Sequence, residues 1–432
     1  MAGPASLILM LVFGTLTLLG IPLALAITAA AIAAVLLVVP FDMALFTSSQ
    51  KMLASLDSFS LLAVPFFILS GVIMNSGGIA IRLVDFAKLI AGRVPGSLAQ
   101  TNIAGNMLFG SISGSAIAAS TSIGGVMVPM QKREGYEPGF AAAVNIASAP
   151  TGMLIPPSTA FIIYSLVAGG ASIAALFLAG AVAGGFWGLG MMIVTAIVAR
   201  RRGWPVADRV GPAEAMRVIG RALPSLMLIV FIIGGIMLGV VTAVEASGIA
   251  VIYTLLLAFV IHRTMPISAL PKFLMETVLI TGTIMLLLAA SAALSFAMAF
   301  TGIPAAVTSL ILAISENPII VMLIINLVLL FVGCFMDMGP AILIFTPILL
   351  PIAQKVGYDP VHFGVIMIFN LAIGTITPPV GTGLFVGAGV ARVKVETCIR
   401  ALGPFYMLLF ALLLVVTYFP SLTMSLPRHF GL

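Results

Sequence analysis

The chain has 432 residues, of which 62% are hydrophobic and only 7% are charged, and its formal net charge is +6. A soluble domain carries about 25% charged residues, so this composition excludes a soluble globular protein. Apolar runs of about 18 or more residues recur along the whole length, and each is long enough to cross a bilayer as a helix. The sequence therefore predicts an all-α polytopic membrane protein. Basic residues in such a protein mostly report topology, so the positive charge does not indicate nucleic-acid binding.

The N-terminal segment does not indicate a cleaved signal peptide, and the cysteines indicate neither a metal site nor a disulfide. MAGPASLILMLVFG has neither a basic n-region nor a cleavage site before a soluble domain, so it is predicted to remain as a membrane helix. Cys334 and Cys398 have neither metal-ligand spacing nor a disulfide pattern. No organic cofactor is predicted.

Part of the first half of the sequence occurs again in the second half. The stretch 106–158 aligns with the second half at a fixed offset, which places the GYEP motif at 135–138 over the GYDP motif at 357–360. The Pro-Pro pair at 156–157 falls on the pair at 378–379 at the same offset. Two shared motifs at one offset indicate that the chain is a duplicated unit.

In chain order, the apolar segments form two units joined by a basic loop at 200–222. Unit 1 (1–199) is predicted to contain scaffold helices within 5–76 (at 5–20, 21–40 and 60–76), an amphipathic arm helix at 79–93, a hairpin at 96–130, a broken helix at 138–170 and a helix at 172–199. Unit 2 (223–419) is predicted to contain scaffold helices within 223–300 (at 223–241, 245–262 and 276–300), an arm helix at 303–315, a hairpin at 318–352, a broken helix at 361–390 and a helix at 401–419. Residues 420–432 form a predicted periplasmic tail.

The distribution of basic residues predicts the topology. The loop at 200–222 holds six arginines: Arg200, Arg201, Arg202, Arg209, Arg217 and Arg221. If this loop is cytoplasmic and both hairpins are re-entrant, only Lys51, Lys355 and Arg428 of the 19 Lys and Arg residues lie outside. About ten full crossings then divide equally between the units, an odd number in each, so the units are inverted and both chain termini are periplasmic. Inverted repeats with broken helices are typical of secondary transporters.

Four places are predicted to have irregular backbone at membrane depth: the hairpin tips at 111–115 and 337–340, and the breaks at 149–152 and 374–377. Irregular backbone is tolerated there only if it is buried in protein or lines a cavity. The Pro-Pro pair after each break suits the first position of a new half-helix. Hydroxyl and carbonyl oxygens suit Na⁺, and half-helix N-termini suit an anion. Each tip paired with its break predicts one cation site, with a substrate pocket between the two sites.

Two sets of candidate site residues follow. The candidate Na⁺ ligands are Ser111, Ser113, Ser115, Thr151, Gly152, Asp337, Gly339, Gly374, Thr375 and Thr377. The candidate substrate-binding residues are Ser113, Gly114, Ser115, Asn145, Pro156, Pro157, Asn370, Thr377, Pro378 and Pro379. For any single serine among them, close helix packing is the favoured explanation. Their occurrence as a duplicated set with Pro-Pro favours function.

Two acidic residues receive different interpretations. Asp337 is the only acid predicted in a hairpin tip, and an intramembrane carboxylate is by default a functional group, here a cation or proton ligand. The alternative is that its carboxylate caps the following half-helix. Thr242 and Glu245 fit a capping box, so Glu245 is predicted to be structural.

The intramembrane asparagines and the arm helices complete the predicted parts. Asn145 and Asn370 precede the breaks and either orient them or line the pocket, whereas Asn102 and Asn106 are expected to tie the arms of the hairpin together. The arm helices, lying flat at opposite surfaces, could brace a mobile bundle against a fixed frame. This arrangement predicts an elevator-type transporter resembling the ion transporter superfamily.

The blocks NMLFGSISGSAIA, IPPS, TAVEASGIAVIY and FNLAIGTITPPVG resemble the large membrane subunit of TRAP transporters, the DctM type, and the resemblance covers essentially the whole chain. It implies a permease of the bacterial inner membrane in a tripartite, Na⁺-driven uptake system for C4-dicarboxylates, sialic acid or keto acids. Its implied partners are a small four-helix membrane subunit (DctQ-type) and a periplasmic substrate-binding protein. The resemblance also implies Na⁺ positions at 113–115, Gly152, 337–340 and 374–377.

Rival functions are less consistent with the sequence. A self-sufficient Na⁺-coupled carboxylate symporter without a binding protein shares the inverted repeats and stays open. An intramembrane enzyme is disfavoured because no Ser-His, paired-aspartate or HExxH arrangement occurs. A channel is disfavoured because no filter motif is evident.

Overall fold

A computed structural model describes residues 2–76, 79–204, 206, 210–263 and 265–432 of the chain. Within these ranges the chain consists of helices and their connections, and no strand occurs. A helix pairs its own backbone N–H and C=O groups, which hydrocarbon surroundings require of a spanning segment. The predicted all-α class is confirmed. Arg209, counted in the basic loop, lies outside the described residues.

The first half contains the first scaffold helices, an arm, a hairpin and a broken helix. Its helices are α1 (Ala2–Leu18), α2 (Leu23–Val35), α3 (Phe41–Leu56), α4 (Ala63–Ser76), α5 (Ile79–Ala91), α6 (Ser97–Ser113), α7 (Ala116–Arg133), α8 (Pro138–Ser148), α9 (Thr151–Leu154), α10 (Thr159–Val167) and α11 (Ile173–Arg202). Helices α3 and α4 meet at a bend of 62°. The hairpin is α6 with α7, and the broken helix is α8, α9 and α10.

The second half repeats this order of elements. Its helices are α12 (Pro212–Met237), α13 (Ala243–Leu255), α14 (Leu270–Thr301), α15 (Ile303–Ile314), α16 (Pro318–Phe335), α17 (Met338–Lys355), α18 (Pro360–Gly374), α19 (Thr382–Ala391), α20 (Val395–Tyr418) and α21 (Pro420–His429). A π-helical turn over Leu256–Ile261 extends α13. The hairpin is α16 with α17, and the broken helix is α18 with α19.

Several helices suit a membrane by length and composition. In the described ranges seven helices are long and apolar enough to cross one, or up to nine if each of two bent pairs counts as a single span. The chain is therefore a multi-pass membrane protein. The ten full crossings, the re-entrant path of the hairpins and the inversion of the two units stay predictions.

The predicted loop at 200–222 is shorter in the structure, because helices cover both of its ends. Helix α11 continues to Arg202 and ends at Gly203, which has a left-handed φ of +67°. Three arginines in the last turn of α11 favour this extension because they face the negative end of the helix dipole. Helix α12 begins with Pro212 in its first turn and carries Glu214 there, which is a favourable start.

Two helices lie where the sequence analysis predicts none. Helix α3 carries Asp42 and Lys51, so it is too polar to stand out as an apolar run. Helix α21 occupies most of the predicted tail at 420–432 and packs on α11 through a face that includes the buried Met424. Both helices mix polar and apolar residues, so neither forms the long apolar run by which a spanning helix is identified in sequence.

The two halves interlock through their hairpins and broken helices. Helix α10 of the first half packs on α17, and α19 of the second half packs on α7. The Tyr164 hydroxyl donates to the Pro360 carbonyl at 2.6 Å, and the Lys132 ammonium donates to the Ala391 carbonyl at 2.5 Å. A separate group forms where α2 and α3 pack on α14 and α4 packs on α13. The hairpins and broken helices thus form one bundle beside a scaffold of α1–α4 and α12–α14.

The predicted capping box is confirmed at the start of α13. The Thr242 hydroxyl oxygen accepts from the Glu245 backbone N–H at 3.3 Å, and the Glu245 carboxylate accepts from the Thr242 N–H at 2.7 Å. Both side chains are therefore used in opening a helix.

Candidate functional site

The two hairpin tips turn with different residues. In the first hairpin Gly114 takes a left-handed φ of +63°, and the Ser115 hydroxyl oxygen accepts from the Ala118 N–H at 3.3 Å to open α7. In the second hairpin Asp337 occupies the position before α17, but its carboxylate makes no bond to that helix. It accepts instead from the Thr382 hydroxyl at 3.1 Å. The capping alternative for the Asp337 carboxylate is therefore not what the structure shows.

Helix α8 ends at Ser148 and α18 ends at Gly374, next to the predicted breaks, but the Pro-Pro pairs do not begin the half-helices. Helix α10 begins at Thr159 and α19 at Thr382, each after the proline pair. Both Pro-Pro bonds, 156–157 and 378–379, are cis. The prediction of proline at the first helical position is wrong, because the prolines lie in the non-helical connection between one half-helix and the next.

Each hairpin touches its break at a pair of glycines. An ideal Cβ at Gly152 would lie 2.3 Å from Gly110 Cα on α6, and one at Gly374 would lie 2.5 Å from Gly333 Cα on α16. These distances are shorter than any normal contact, so the backbones meet without room for a side chain. The glycines of the breaks therefore fix how closely tip and break approach.

Aromatic side chains from the long helices pair carbonyls that the breaks release. The Trp187 indole N–H on α11 donates to the Ala147 carbonyl at 2.8 Å, near the end of α8. The Tyr406 hydroxyl on α20 donates to the Ile376 carbonyl at 2.5 Å in the second break. A carbonyl with one such partner is satisfied in an apolar environment and keeps a second lone pair.

Buried asparagines join the first hairpin to its broken helix. The Asn106 amide on α6 donates to the Ser148 hydroxyl at 2.7 Å and to the Asn145 side-chain oxygen at 3.2 Å, both on α8. The Asn145 amide continues to the Ser120 hydroxyl on α7 at 3.0 Å. Asn102 accepts from Asn106 on the same helix, so these two do not tie the hairpin arms together as predicted. Asn145 makes that connection.

A matching bond occurs in the second half. The Asn370 amide on α18 donates to the Asn326 side-chain oxygen on α16 at 2.9 Å, and the Asn326 amide reaches the Thr417 hydroxyl on α20 at 3.0 Å. All of these asparagines are buried. Asn145 and Asn370 therefore join the broken helices to the hairpins, and neither lines the cavity described below.

Asn106→Ala is expected to lower the free energy of unfolding by about 1–3 kcal/mol, because it leaves the buried side-chain oxygens of Asn145 and Asn102 without the amide that donates to them. The measurement is thermal unfolding of the purified full chain in detergent. Thr121→Ala is the control, since Thr121 is exposed and bonds only to carbonyls of its own helix. Equal melting temperatures for both variants would contradict the network.

One cavity of about 710 Å³ lies between the bundle and the scaffold. Both hairpin tips and parts of both broken helices line one side of it, including Ser115, Thr159, Asp337 and Thr375. The other side is formed by α2 and α14 and is largely apolar, with Thr283 its one polar side chain. The cavity is thus the place where the duplicated parts meet.

Four helix N-termini face this cavity. The first residues of α7, α10, α17 and α19 all line it, among them Ala116, Thr159, Met338 and Thr382. Each helix start presents the positive end of a dipole, although in α19 the Gly383 N–H already donates to the Thr375 carbonyl at 2.9 Å. Asp337 is the only charged residue on the wall in the described ranges, and its side chain is exposed. The cavity wall therefore combines the positive ends of four helix dipoles with one negatively charged side chain.

Five of the predicted site residues line the cavity: Gly114, Ser115, Asp337, Gly339 and Thr375. The others lie around it: Ser111, Ser113, Asn145, Thr151, Gly152, Pro156, Pro157, Asn370, Gly374, Thr377, Pro378 and Pro379. Four of the hydroxyls donate to a carbonyl one turn back in their own segment: Ser111, Thr151, Thr375 and Thr377. Their oxygens keep lone pairs for a further ligand. The buried Ser113 hydroxyl has no partner in the described part of the chain.

The sequence analysis missed several residues of the wall. Thr159 and Thr382 open half-helices directly after the proline connections, and a threonine before an apolar run is a helix-start signal that could have identified them. Thr283, Ile280 and Ile284 on α14 carry no such signal, because they are placed only by the packing of α14 beside the bundle.

A multi-pass helical protein with two hairpins and two broken helices around one central cavity is a solute transporter. The family model for the tripartite ATP-independent periplasmic transporter, DctM component, matches residues 8–422. The chain belongs to this family, the large permease subunits of TRAP transporters. This confirms the resemblance, and the family is one of transport proteins rather than enzymes.

Two relatives agree with this assignment, and a solved structure is similar in fold. The chain is 37% identical over 383 residues to the sialic acid TRAP transporter large permease protein SiaM of Vibrio cholerae, covering 89% of this chain and 90% of SiaM. It is 37% identical over 382 residues to the C4-dicarboxylate TRAP transporter large permease protein DctM of Pseudomonas aeruginosa, covering 88% and 89%. The crystal structure of the Alcanivorax borkumensis YdaH transporter is similar in fold, with a TM-score of 0.63 at 15% identity over 87% of this chain and 88% of YdaH.

Proposed function

We propose that this chain is the large permease subunit of an Na⁺-coupled transporter that imports a small organic acid delivered by a periplasmic binding protein. It would act in the bacterial inner membrane, with both chain termini periplasmic, beside a small four-helix subunit of the DctQ type. The observation that carries the proposal is the single cavity shared by four helix N-termini and Asp337.

The helix N-termini supply the means to bind a carboxylate. Each helix start stabilises a nearby anion by about 0.3–1 kcal/mol, and more where the site is partly buried. The first residues of α7 and α10 line the cavity from one repeat, and those of α17 and α19 line it from the other. Because no Lys, Arg or His lines the cavity in the described ranges, backbone dipoles would provide the attraction.

Oxygen atoms at the tips and breaks supply the means to bind Na⁺. Na⁺ is a hard cation, and hydroxyl, carbonyl and carboxylate oxygens suit it. In the second repeat the Asp337 carboxylate, Thr375 and Gly339 line the same wall. In the first repeat Ser115 lies on the wall, and the unpartnered Ser113 hydroxyl lies two residues before it. We assign one cation site to each tip and its break.

The wall opposite the helix N-termini favours certain acids. Ile280, Ile284 and Leu287 of α14 face the cavity and offer no hydrogen bonds. A polyhydroxylated sugar acid would lose its bonds to water against them, which is costly. Among the acid classes that the family suggests, a keto acid or dicarboxylate with a short carbon chain fits this wall better than sialic acid.

The position of the cavity favours an elevator mechanism. Its two sides belong to the bundle and to the scaffold. Helix α5 packs against both α6 of the bundle and α12 of the scaffold, and α15 packs against both α17 and α14. Sliding of the bundle along α2 and α14, guided by these arms, would carry the site between the two membrane faces.

Uptake into proteoliposomes tests the function. We expect accumulation of radiolabelled acid only when the full chain and its small subunit are supplied with an inward Na⁺ gradient and the cognate binding protein. A panel of keto acids, C4-dicarboxylates and sialic acid would identify the solute. Uptake that is unchanged when K⁺ replaces Na⁺ would contradict the coupling. Uptake without the binding protein would support the self-sufficient symporter instead.

A further inference from the structure

A group of basic side chains lies outside the transport cavity. Arg82 is on arm helix α5, Arg221 is on α12, and His262 directly follows the π-helical turn after α13. Helix α12 packs on both α5 and α13, which brings the three segments together. Arg82 Nη1 and His262 Nε2 are both buried and have no hydrogen-bond partner. A buried polar group left without a partner costs about 1–3 kcal/mol, so this arrangement indicates a missing ligand.

The charges of the group repel one another. Burial, and then the nearby Arg221, lower the pKa of Arg82, while burial and then Arg82 lower the pKa of His262. Asp85 lies one turn along α5 but is exposed and makes no ion pair with Arg82, and the single ion pair in the described part of the chain is Arg202 with Glu137. An anion placed among the three groups would relieve both the repulsion and the missing hydrogen bonds.

The surroundings of the group are those of a lipid headgroup. Ile81 and Ile261 adjoin Arg82 and His262 in sequence, and both side chains are more than half exposed. Leu223, two residues after Arg221, is 49% exposed. The basic loop, the arm and the end of α13 are all predicted on the cytoplasmic side. Basic pockets between helices on that side of a membrane bind anionic lipid headgroups.

We propose that Arg82, Arg221 and His262 bind the phosphate of an anionic phospholipid in the cytoplasmic leaflet, with its acyl chains lying over Ile81, Leu223 and Ile261. The lipid would join arm α5 to scaffold helix α12. Free phosphate carries the same charged group as the lipid headgroup but would make no contact with the exposed apolar side chains. Binding of a lipid can therefore be distinguished from binding of free phosphate.

The test uses the purified, delipidated full chain in detergent and counts bound lipid by native mass spectrometry. The probes are dioleoyl phosphatidylglycerol, dioleoyl phosphatidylcholine and inorganic phosphate. We expect phosphatidylglycerol to bind at least about five-fold more tightly than phosphatidylcholine, since each basic residue near an anionic lipid contributes a factor of that order. Arg82→Gln should remove this preference. Lys88→Gln is the matched control, because Lys88 lies on the same helix and the charge lost is the same.

Two results would overturn the proposal. One is equal phosphatidylglycerol affinity in Arg82→Gln and Lys88→Gln, which would make the preference a general charge effect. The other is displacement of phosphatidylglycerol by millimolar inorganic phosphate, which would make the site one for a soluble anion. Should Arg82→Gln fail to fold, Arg221→Gln carries the same expectation, because Arg221 is exposed and its substitution leaves packing intact.

Discussion

Gly152→Ala is expected to abolish most uptake and to lower the free energy of unfolding by roughly 3 kcal/mol, at the upper end of overpacking effects. The added Cβ would stand 2.3 Å from Gly110 Cα and 2.8 Å from the Gly110 carbonyl oxygen. These are backbone atoms of α6, which cannot rotate away as the end of a flexible side chain can. The hairpin tip and the break must therefore move apart, and the oxygens of the proposed cation site would move with them.

Gly374→Ala should have the same effect in the second repeat, where the Cβ would stand 2.5 Å from Gly333 Cα. The measurements are the melting temperature of the full chain in detergent and Na⁺-driven uptake in proteoliposomes. Gly125→Ala and Gly389→Ala are the controls, since a Cβ at either position meets nothing within 4 Å. Wild-type uptake in Gly152→Ala would show that the close contact of tip and break is not required for transport.

The hairpins and breaks could be predicted from the sequence because local signals that are weak on their own occur at matching places in two duplicated units. Gly152 is unremarkable alone, since glycine is common in membrane helices. Its recurrence as Gly374, at the same offset as the Pro-Pro and GY(E/D)P motifs, placed the two breaks at matching positions in two units. The order of helices after the arm could therefore be predicted, and so could Asp337 in a tip.

Contacts between distant segments could not be predicted in the same way. Helix α14 forms the apolar wall with Ile280 and Ile284, yet its sequence reads like any other spanning helix. Asn145 and Asn370 were correctly identified as needing partners, but which helix supplied each partner depended on packing. Helix α3 was missed because its polar and charged residues interrupt the apolar run that marks a membrane helix.

Asp337→Asn is expected to reduce Na⁺-driven uptake by roughly 10- to 100-fold, the effect of losing one hydrogen-bonded or ligating charge. Asp337 is the one charged side chain on the cavity wall within the described ranges, and its carboxylate is joined to α19 through Thr382. Asparagine keeps the size and the oxygen that accepts from Thr382, and it is as good as aspartate at the start of a helix. A loss of uptake would therefore report the missing charge and not a lost helix start.

Asp359→Asn provides the matched control for this substitution. Asp359 stands at the start of α18, where its carboxylate accepts from the backbone N–H groups of Val361 at 2.7 Å and His362 at 3.3 Å. It lies off the cavity, so asparagine should cap α18 and leave uptake near the wild-type rate. The decisive measurement is the Na⁺ concentration for half-maximal uptake in both variants. An increase confined to Asp337→Asn assigns the charge to cation binding, whereas an unchanged Na⁺ dependence in Asp337→Asn would remove Asp337 from the cation site.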